Sequence, residues 1–352
     1  MIKSISGIRG TIGGKAGEAL TPIDITKFSS AFAQWVIEKT NNRKIVIGRD
    51  ARISGSMVNQ LVVNTLQAMG MQVIDLGLST TPTVELAVVD EKAGGGIIIT
   101  ASHNPKEWNA LKLLNKDGEF VSAKDGEKIL GIAEKGKAEF ADVMSLGFVE
   151  HRENYLHKHI EKILALPLVD VNAIKAKKFK VLVDAVNSTG GIAVPMLLKA
   201  LGVKEIIEMN CEPNGKFAHD PEPNEKNLSG LCGEVKFQRA DLGIAVAWPD
   251  LFDHALYRLS AIAVFGSMAC HQNPDEHRKG SKILMLDLST IILFLIALGL
   301  AMMAARRQPH IVKQGTLMSM ERFFAVLPRM GLAILAAGFV SKLVPSGPIA
   351  HH

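Results

Sequence analysis

The sequence predicts an α/β protein made of two successive, mostly parallel α/β domains, followed by an atypical apolar tail that we expect to be helical. Short apolar runs alternate with helix-like segments, the same alternation occurs twice, and the composition changes after residue 246. A chain of 352 residues also exceeds the usual size of a single hydrophobic core. We therefore expect one domain at residues 1–145, a second at 146–246 and the tail at 247–352.

The first domain alternates short apolar runs with segments of helical periodicity. The predicted elements are a strand at 44–48, a helix at 54–70, a strand at 71–76, a helix that includes 83–89 and a strand at 96–100. All-apolar strands that alternate with helices indicate a mostly parallel sheet with helices on both faces. Ligand-binding loops of such a sheet lie at the carboxyl ends of its strands.

The second domain repeats this pattern after a charged stretch at 149–163 that we expect to be helical. The predicted elements are a strand at 179–183, a helix that ends at 201, a strand at 205–209, a helix at 228–239 and a strand at 241–246. Beyond residue 246 the alternation stops. The change favours a tail of different origin from the two domains.

The composition excludes several classes of protein. The chain is 47% hydrophobic and 21% charged, which excludes disordered, collagen-like and coiled-coil chains. Its 40 basic and 35 acidic residues are nearly balanced and its aromatic content is 5%, so we expect no nucleic-acid partner. The cysteines are odd in number, Cys211, Cys232 and Cys270, and have no metal or disulfide spacing, and residues 1–4 lack the apolar run of a signal peptide. We expect reduced thiols in a cytoplasmic protein.

The run Thr-Ala-Ser-His-Asn-Pro at 100–105 follows the third predicted strand. A serine on such a loop can present its hydroxyl to a ligand, and Pro105 stiffens the exit from the loop. The chain then comes back towards the same end of the sheet at Lys112, whose side chain could hold an anionic group beside Ser102. The alternative interpretation is an Asn-Pro turn with a solvated serine.

Four motifs together resemble those of the phosphohexomutase family, which includes phosphoglucosamine mutase, phosphomannomutase and phosphoglucomutase. They are Ser-Gly-Ile-Arg-Gly at 6–10, Gly-Arg-Asp-Ala-Arg-Ile-Ser at 48–54, the Ser102 run, and Cys-Glu-Pro-Asn-Gly at 211–215. The resemblance covers residues 2–246 and is greatest to the bacterial phosphoglucosamine mutase type.

The resemblance implies a phosphoserine at Ser102 that interconverts hexose 6-phosphates and 1-phosphates through a bisphosphate intermediate, which also serves as activator. Arg9 and Lys112 would neutralise the transferred group, and Asn104 would join them in phosphate binding. His103 would assist proton transfer, with packing of the loop as its alternative role. The substrate partner would be a glucosamine, mannose or glucose phosphate.

The pair Arg49 and Arg52 flanks Asp50 in the second of these motifs. Direct contact with a ligand is one interpretation of these arginines. We favour the other, an ion-pair network with Asp50 that shapes the loops.

The resemblance also implies Mg²⁺, held by Ser102 and an Asp-x-Asp-x-Asp-Arg loop after the strand at 241–246. This chain instead has Ala-Trp-Pro-Asp-Leu-Phe-Asp-His at 247–254, which leaves Asp250 and Asp253 as candidate ligands. That set is one carboxylate short and wrongly spaced, so the Mg²⁺ site is expected to be damaged. The alternative is that both are ordinary turn acids.

The tail lacks the family's Gly-Glu-x-Ser-Gly and Arg-x-Ser-Gly-Thr loops, so we expect a truncated and impaired enzyme whose tail arose by fusion, rearrangement or an out-of-frame reading. The alternative function is a non-catalytic sugar-phosphate-binding or membrane-associated remnant.

Residues 288–305 are 18 uncharged residues, close to the length of a membrane span, with a buried helix or a non-native tail as alternatives. Membrane association is expected only through this run; the 12-residue run at 330–341 is too short and favours a buried or interfacial helix.

Overall fold

The computed structural model describes residues 1–4, 7–136, 138–222, 224–246 and 263–266. The chain divides into two units, Met1–Asn273 and Pro274–His352. All of the described residues lie in the first unit.

Strands and helices alternate along most of the described chain. Its strands are β1 (Ile2–Ser4), β2 (Gly7–Thr11), β3 (Lys44–Arg49), β4 (Gln72–Leu78), β5 (Gly95–Ile99), β6 (Trp108–Leu114), β7 (Val149–His151), β8 (Lys180–Asp184), β9 (Glu205–Met209), β10 (Leu242–Ala245) and β11 (Ala263–Gly266). Its helices are α1 (Pro22–Thr40), α2 (Gly55–Ala68), α3 (Thr81–Asp90), α4 (Ala123–Lys135), α5 (Tyr155–Leu164), α6 (Val171–Lys177), α7 (Gly190–Ala200) and α8 (Glu225–Phe237). A short 3₁₀ turn occupies Val143–Ser145.

The first domain is built on a sheet with the strand order β1-β2-β6-β5-β3-β4-β7. Strands β5, β3, β4 and β7 are parallel, whereas β6, β2 and β1 follow beside β5, each antiparallel to the strand before it. The α/β prediction is therefore confirmed, with a parallel centre and an antiparallel side. The carboxyl ends of β3 and β5 lie next to each other, which brings the loops after residues 49 and 99 together.

Helices cover both faces of this sheet because its central strands are apolar on both sides. Ile97 and Ile99 of β5 belong to the core cluster that includes Val62 of α2, while Ile98 belongs to the cluster that includes Val84 of α3. All three isoleucines are at most 1% exposed. A strand buried on both faces requires such a continuous apolar run.

The second domain has a smaller sheet with the order β11-β10-β8-β9. Strand β8 is parallel to β9 and β10, and β11 pairs with β10 in the antiparallel direction. Val183 of β8 packs in one cluster with Val194 of α7, and Leu182 packs in the opposite cluster with Leu231 of α8. This sheet is therefore also covered on both faces.

The stretch at 149–163 differs from its prediction. Its first residues form β7, and the helix begins only at Tyr155, so the prediction of a continuous helix is wrong at its start. The backbone explains the difference, because the Val73 amide donates to the Phe148 carbonyl and the Arg152 amide donates to the Asp75 carbonyl. The free edge of β4 thus receives a short strand, which lies beyond the boundary predicted at residue 145.

The predicted helical tail lies outside the described residues, except that Ala263–Gly266 forms a strand. The apolar runs at 288–305 and 330–341 are among the residues that are not described. In the part of the chain that the structure describes, none of the helices is long and apolar enough to cross a membrane. Cys211 is a free thiol, and Cys270 is not among the described residues.

Candidate active site

Ser102 lies in the loop between β5 and β6 and has a left-handed backbone, with φ of +57°. Such a conformation is uncommon for a residue other than glycine, and it persists only where the surrounding structure holds it. The Ser102 amide donates a 3.1 Å hydrogen bond to Oγ1 of Thr100. The serine is half-buried, so the loop presents its hydroxyl at the carboxyl end of the sheet.

Arg52 holds the Ser102 loop from inside the protein. Its side chain is among the fully buried ones, and its two terminal nitrogens donate to four backbone carbonyls of the loop. The acceptors are Ser102 at 2.8 Å, Asn104 at 2.6 Å, Pro105 at 2.6 Å and Trp108 at 2.9 Å. Burial lowers the pKa of the Arg52 guanidinium from its ordinary value, and the neighbouring Asp50 opposes this change.

Asp50 connects Arg52 to the end of the neighbouring strand. Its Oδ2 accepts hydrogen bonds from Nε of Arg52 at 3.1 Å and from Oγ1 of Thr100 at 2.6 Å. Its Oδ1 accepts from the Arg52 amide at 3.0 Å. The network predicted around the Arg-Asp-x-Arg run is present, and it shapes the serine loop as expected. Arg49 contributes less, since it donates to the Asp50 carbonyl at 3.1 Å.

A small pocket beside Ser102 gathers most of the residues that the sequence singled out. Its lining residues are Gly7, Arg9, Ala101, Ser102, Asn104, Ala110 and Lys112. Arg9 on β2 lies opposite Ala110 on β6, and Lys112 lies two residues farther along β6 and is 6% exposed. The antiparallel strands β2 and β6 thus bring two cationic side chains to the serine. Two cations beside one hydroxyl suit an anionic ligand such as a phosphoryl group.

Close packing of the backbone makes this arrangement possible at Gly7. The residue has φ of +128°, and a Cβ at this position would lie 2.3 Å from the Leu111 carbonyl oxygen. Any side chain here would push β2 away from β6. Arg9 would then lose its position relative to Lys112.

His103 and Asn104 complete the loop. Nδ1 of His103 lies 3.5 Å from Oγ of Ser102, at the outer limit of a hydrogen bond. Oδ1 of Asn104 is buried and has no hydrogen-bond partner among the described residues. A buried amide oxygen without a donor is costly, and a ligand hydroxyl would supply a donor, whereas a phosphoryl group would not.

A larger cavity of about 160 Å³ also borders the serine loop and is lined by residues of both domains. Asp50, Thr100 and Ser102 line it from the first domain, and Ser188 and Thr189 line it from the second. The serine loop is therefore bordered by both domains.

The described residues alone do not make a magnesium site. No group of three His, Cys, Asp or Glu side chains in the described ranges is placed to hold a metal ion. Of the predicted ligands, only Ser102 is described, since Asp250 and Asp253 fall among the residues that are not. Mg²⁺ also requires near-octahedral oxygen coordination, which a single serine cannot supply.

A polar cluster at the carboxyl end of β8 was not assigned a role in the sequence analysis. Asp184 is 2% exposed and accepts hydrogen bonds from the Val186 amide, from Nδ2 of Asn210 and from Nε2 of His219. Its position directly after an apolar strand was the available signal. His219 lies 35 positions farther along the chain, so no local spacing connects the two residues.

Comparison with known proteins agrees with the two-domain architecture. Residues 2–140 match the family model for phosphoglucomutase/phosphomannomutase, alpha/beta/alpha domain I. Residues 157–247 match the model for domain II of the same family.

Two individual relatives show how far the similarity extends. The chain is 36% identical over 243 residues to a phosphoglucomutase/phosphomannomutase of Thermococcus kodakarensis, covering 67% of this chain and 52% of that protein. It is 33% identical over 241 residues to a phosphoglucosamine/phosphogalactosamine mutase of Sulfurisphaera tokodaii, covering 68% and 51%. The chain thus spans about half the length of these relatives.

A solved structure shares the fold. It is a phosphoglucomutase/phosphomannomutase family protein from Burkholderia thailandensis, with a TM-score of 0.60 and 24% identity over 74% of this chain and 54% of that one.

Proposed function

The chain belongs to the phosphoglucomutase/phosphomannomutase family, with domain I at residues 2–140 and domain II at 157–247, and we propose on that basis that it transfers a phosphoryl group between Ser102 and a hexose phosphate. One observation carries the proposal. Ser102 is held in a left-handed conformation in a pocket that Arg9 and Lys112 also line.

The proposed transfer begins from a phosphorylated Ser102. A sugar hydroxyl oxygen attacks phosphorus in line with the Oγ–P bond, so that the new O–P bond forms while the Oγ–P bond breaks. The hydroxyl proton is released and Oγ of Ser102 takes up a proton, which balances the step. His103 is suited to carry this proton because its Nδ1 lies 3.5 Å from Oγ.

The product of that step is a hexose bisphosphate. When the bisphosphate turns round, the reverse transfer returns its other phosphoryl group to Ser102, and the sugar leaves as the isomeric monophosphate. Arg9 and Lys112 stabilise the charge on the equatorial oxygens of the phosphoryl group, and Asn104 helps to position these oxygens. The substrate class that fits this chemistry is a hexose 6-phosphate or 1-phosphate, and glucosamine, mannose and glucose are the sugars to test.

A hexose bisphosphate also serves as the activator, because it delivers the first phosphoryl group to the serine. Mg²⁺ remains a predicted requirement with Asp250 and Asp253 as its candidate ligands. We expect the serine to accept a phosphoryl group more readily than the chain completes a full cycle, because residues 247–254 lack the Asp-x-Asp-x-Asp-Arg loop. Lost charge stabilisation of several kcal/mol would lower turnover by about 10³-fold or more.

The test is intact-mass and peptide mass spectrometry of the full chain after incubation with a hexose bisphosphate, with Mg²⁺ or with a chelator. We expect one added phosphoryl group on Ser102 and none in Ser102→Ala. The same modification in Ser102→Ala would refute the proposal. A coupled assay with the three hexose phosphates then measures turnover, and a rate of about 1–10³ s⁻¹, the range typical of enzymes, would refute the expected impairment.

A further inference from the structure

A loop of the second domain packs against the first domain directly behind the serine loop. Gly215 is buried there with φ of +71°, and a Cβ on it would lie 2.0 Å from the Ala51 carbonyl oxygen. Two residues later, the ring of Phe217 covers the guanidinium of Arg52, with its centroid 5.0 Å from Cζ. The second domain thus contacts the residue that holds Ser102.

The loop that carries Phe217 is fixed to its own domain. The carbonyl of Asn187 accepts a 3.0 Å hydrogen bond from the Gly215 amide, and Nδ2 of Asn187 donates a 3.0 Å bond to the Lys216 carbonyl. Asn187 lies three residues after the end of β8, in the turn that leads into α7. The ring of Phe217 is therefore held against the first domain by the core of the second.

Arg52 uses every donor that its side chain has. A guanidinium carries five N–H groups. Nε donates to Asp50, Nη1 to the carbonyls of Pro105 and Trp108, and Nη2 to those of Ser102 and Asn104. A lysine has three donors on one atom and cannot reproduce this planar set.

These hydrogen bonds lie in the plane of the guanidinium and do not cover its two faces. The centroid of the Phe217 ring lies 5.0 Å from Cζ, where the ring attracts the cation and keeps water from competing for the loop carbonyls. Without the ring, water could hydrate the carbonyls of Ser102 and Asn104. The strained backbone of Ser102 would then lose part of its support.

We propose that Arg52 is a positioning residue for Ser102, and that Phe217 of the second domain makes this positioning depend on the contact between the two domains. The proposal rests on the proposed role of Ser102 as the phosphoryl carrier. Neither Arg52 nor Phe217 lines the small pocket with Arg9 and Lys112. Both act through the backbone of the serine loop.

The experiment compares Phe217→Leu and Arg52→Lys with the unaltered full chain. Phe217→Tyr keeps an aromatic ring over Arg52. Phe237→Leu removes a phenylalanine that is 80% exposed on α8, and Arg43→Lys alters an arginine that donates to the Met69 carbonyl. Two measurements are made on each protein: the rate of Ser102 phosphorylation at varied hexose bisphosphate, and hydrogen exchange of the amides at 102–108.

We expect Phe217→Leu to lower the maximal phosphorylation rate about tenfold, which corresponds to about 1.4 kcal/mol, with little change in the half-saturating concentration. Arg52→Lys should lower the rate further. The amides at 102–108 should exchange faster in both of these variants. Their exchange rates should be unchanged in Phe217→Tyr, Phe237→Leu and Arg43→Lys. A changed half-saturating concentration with an unchanged maximal rate would overturn the positioning role.

The two proposals fail separately in this design. If Ser102 is not phosphorylated in the unaltered chain, the proposed function fails, and the hydrogen exchange alone decides whether Phe217 supports the loop. Unchanged exchange in a folded Phe217→Leu variant overturns the inference. If Phe217→Leu does not fold, Phe217→Met keeps most of the apolar volume. The same comparison of the loop amides then decides whether Phe217 supports the serine loop.

Discussion

The Thr100 hydroxyl donates a 2.6 Å hydrogen bond to the buried carboxylate of Asp50. The two residues follow neighbouring parallel strands, β5 and β3, so this bond joins two loops that are 50 positions apart in the chain. The same hydroxyl oxygen accepts from the Ser102 amide at 3.1 Å. Thr100 therefore transmits the position of Asp50 to the backbone of the serine.

Replacement of Thr100 by valine should weaken both the fold and the site. Thr100→Val leaves the Ser102 amide without its acceptor and Asp50 with one donor fewer, so we expect a loss of about 1–3 kcal/mol in the free energy of unfolding. Ser102 phosphorylation should slow as well. Urea unfolding and phosphopeptide analysis measure the two effects, and Thr100→Ser, which keeps the hydroxyl, should retain most of both. Equal stability of the valine and serine variants would contradict the prediction.

Replacement of Gly215 by alanine should separate the cost of a close contact from the cost of a positive φ. Gly215→Ala places a methyl group against the Ala51 carbonyl, whereas Gly77→Ala, at φ of +65°, meets no atom within 4 Å. Each variant bears the strain of a left-handed alanine, about 1 kcal/mol. We expect only Gly215→Ala to speed exchange of the serine-loop amides as well. Similar exchange in the two variants would show that the loop at 215 does not support Ser102.

The pair of Asp184 and His219 should make the second domain sensitive to pH. The hydrogen bond to Asp184 raises the pKa of His219 against the effect of burial, and its other ring nitrogen lies 2.8 Å from the Asp220 carbonyl oxygen. Both ring nitrogens thus face acceptors, which favours the cation. Burial raises the pKa of Asp184, but the hydrogen bonds from His219, Asn210 and the Val186 amide outweigh it and hold that pKa below its ordinary value.

The direction of the effect follows from these two shifts. The contribution of His219 is complete below the ordinary histidine pKa of about 6.5 and is lost as pH rises through the raised value. The contribution of Asp184 is present above its ordinary pKa of about 3.9 and is lost as pH falls through the lowered value. We expect His219→Asn to destabilise the chain more at pH about 6 than at pH about 9 in urea unfolding. His157→Asn, at an exposed histidine, is the control, and an equal loss at both pH values would argue against a charged His219.

Tyr155 should contribute to stability mainly below its ordinary pKa. Its side chain is 1% exposed and its hydroxyl donates to Glu91, which also pairs with Arg152. Burial, followed by the bond to Glu91, raises the pKa of this hydroxyl. The unfolded chain then ionises at about pH 10 while the folded one does not, so stability should fall above about pH 10.

Tyr155→Phe should therefore cost about 1–3 kcal/mol at neutral pH and less above pH about 10. The measurement is urea unfolding at both pH values. The chain has two tyrosines, so a tyrosinate absorbance titration of Tyr257→Phe follows Tyr155 alone. An ordinary titration near pH 10 in the folded protein would contradict the burial of the hydroxyl.

The central strands of both sheets could be predicted from the sequence because they are buried on both faces. Such burial requires runs like Ile97 to Ile99, which are apolar at every position. The position of Ser102 followed from the same argument, since a strand end places its loop at the edge of the sheet. Lys112 was expected nearby for the same reason, and Arg9 came from the family resemblance.

The support behind the serine could not be predicted in this way. Arg52 was expected to pair with Asp50, and it does, but four of its five donors reach backbone carbonyls about fifty positions away. Backbone acceptors have no signature in the sequence. The contact made by Phe217 also has no signature in the sequence, because a single aromatic residue in a polar loop has no periodicity. Such contacts depend on how the two domains meet.

The strand order of the first sheet also determines when its strands can pair during synthesis of the chain. Ile8 of β2 pairs with Leu111 of β6, so the strand that carries Arg9 waits for a partner about a hundred residues later. At about 5–20 residues per second, a ribosome needs roughly 5–20 s to supply it. Pairings between such distant segments form slowly, and the nascent chain exposes unpaired strand edges in the meantime. A chaperone that shields the first hundred residues during this interval would therefore improve the yield of the native sheet more than one that acts after release.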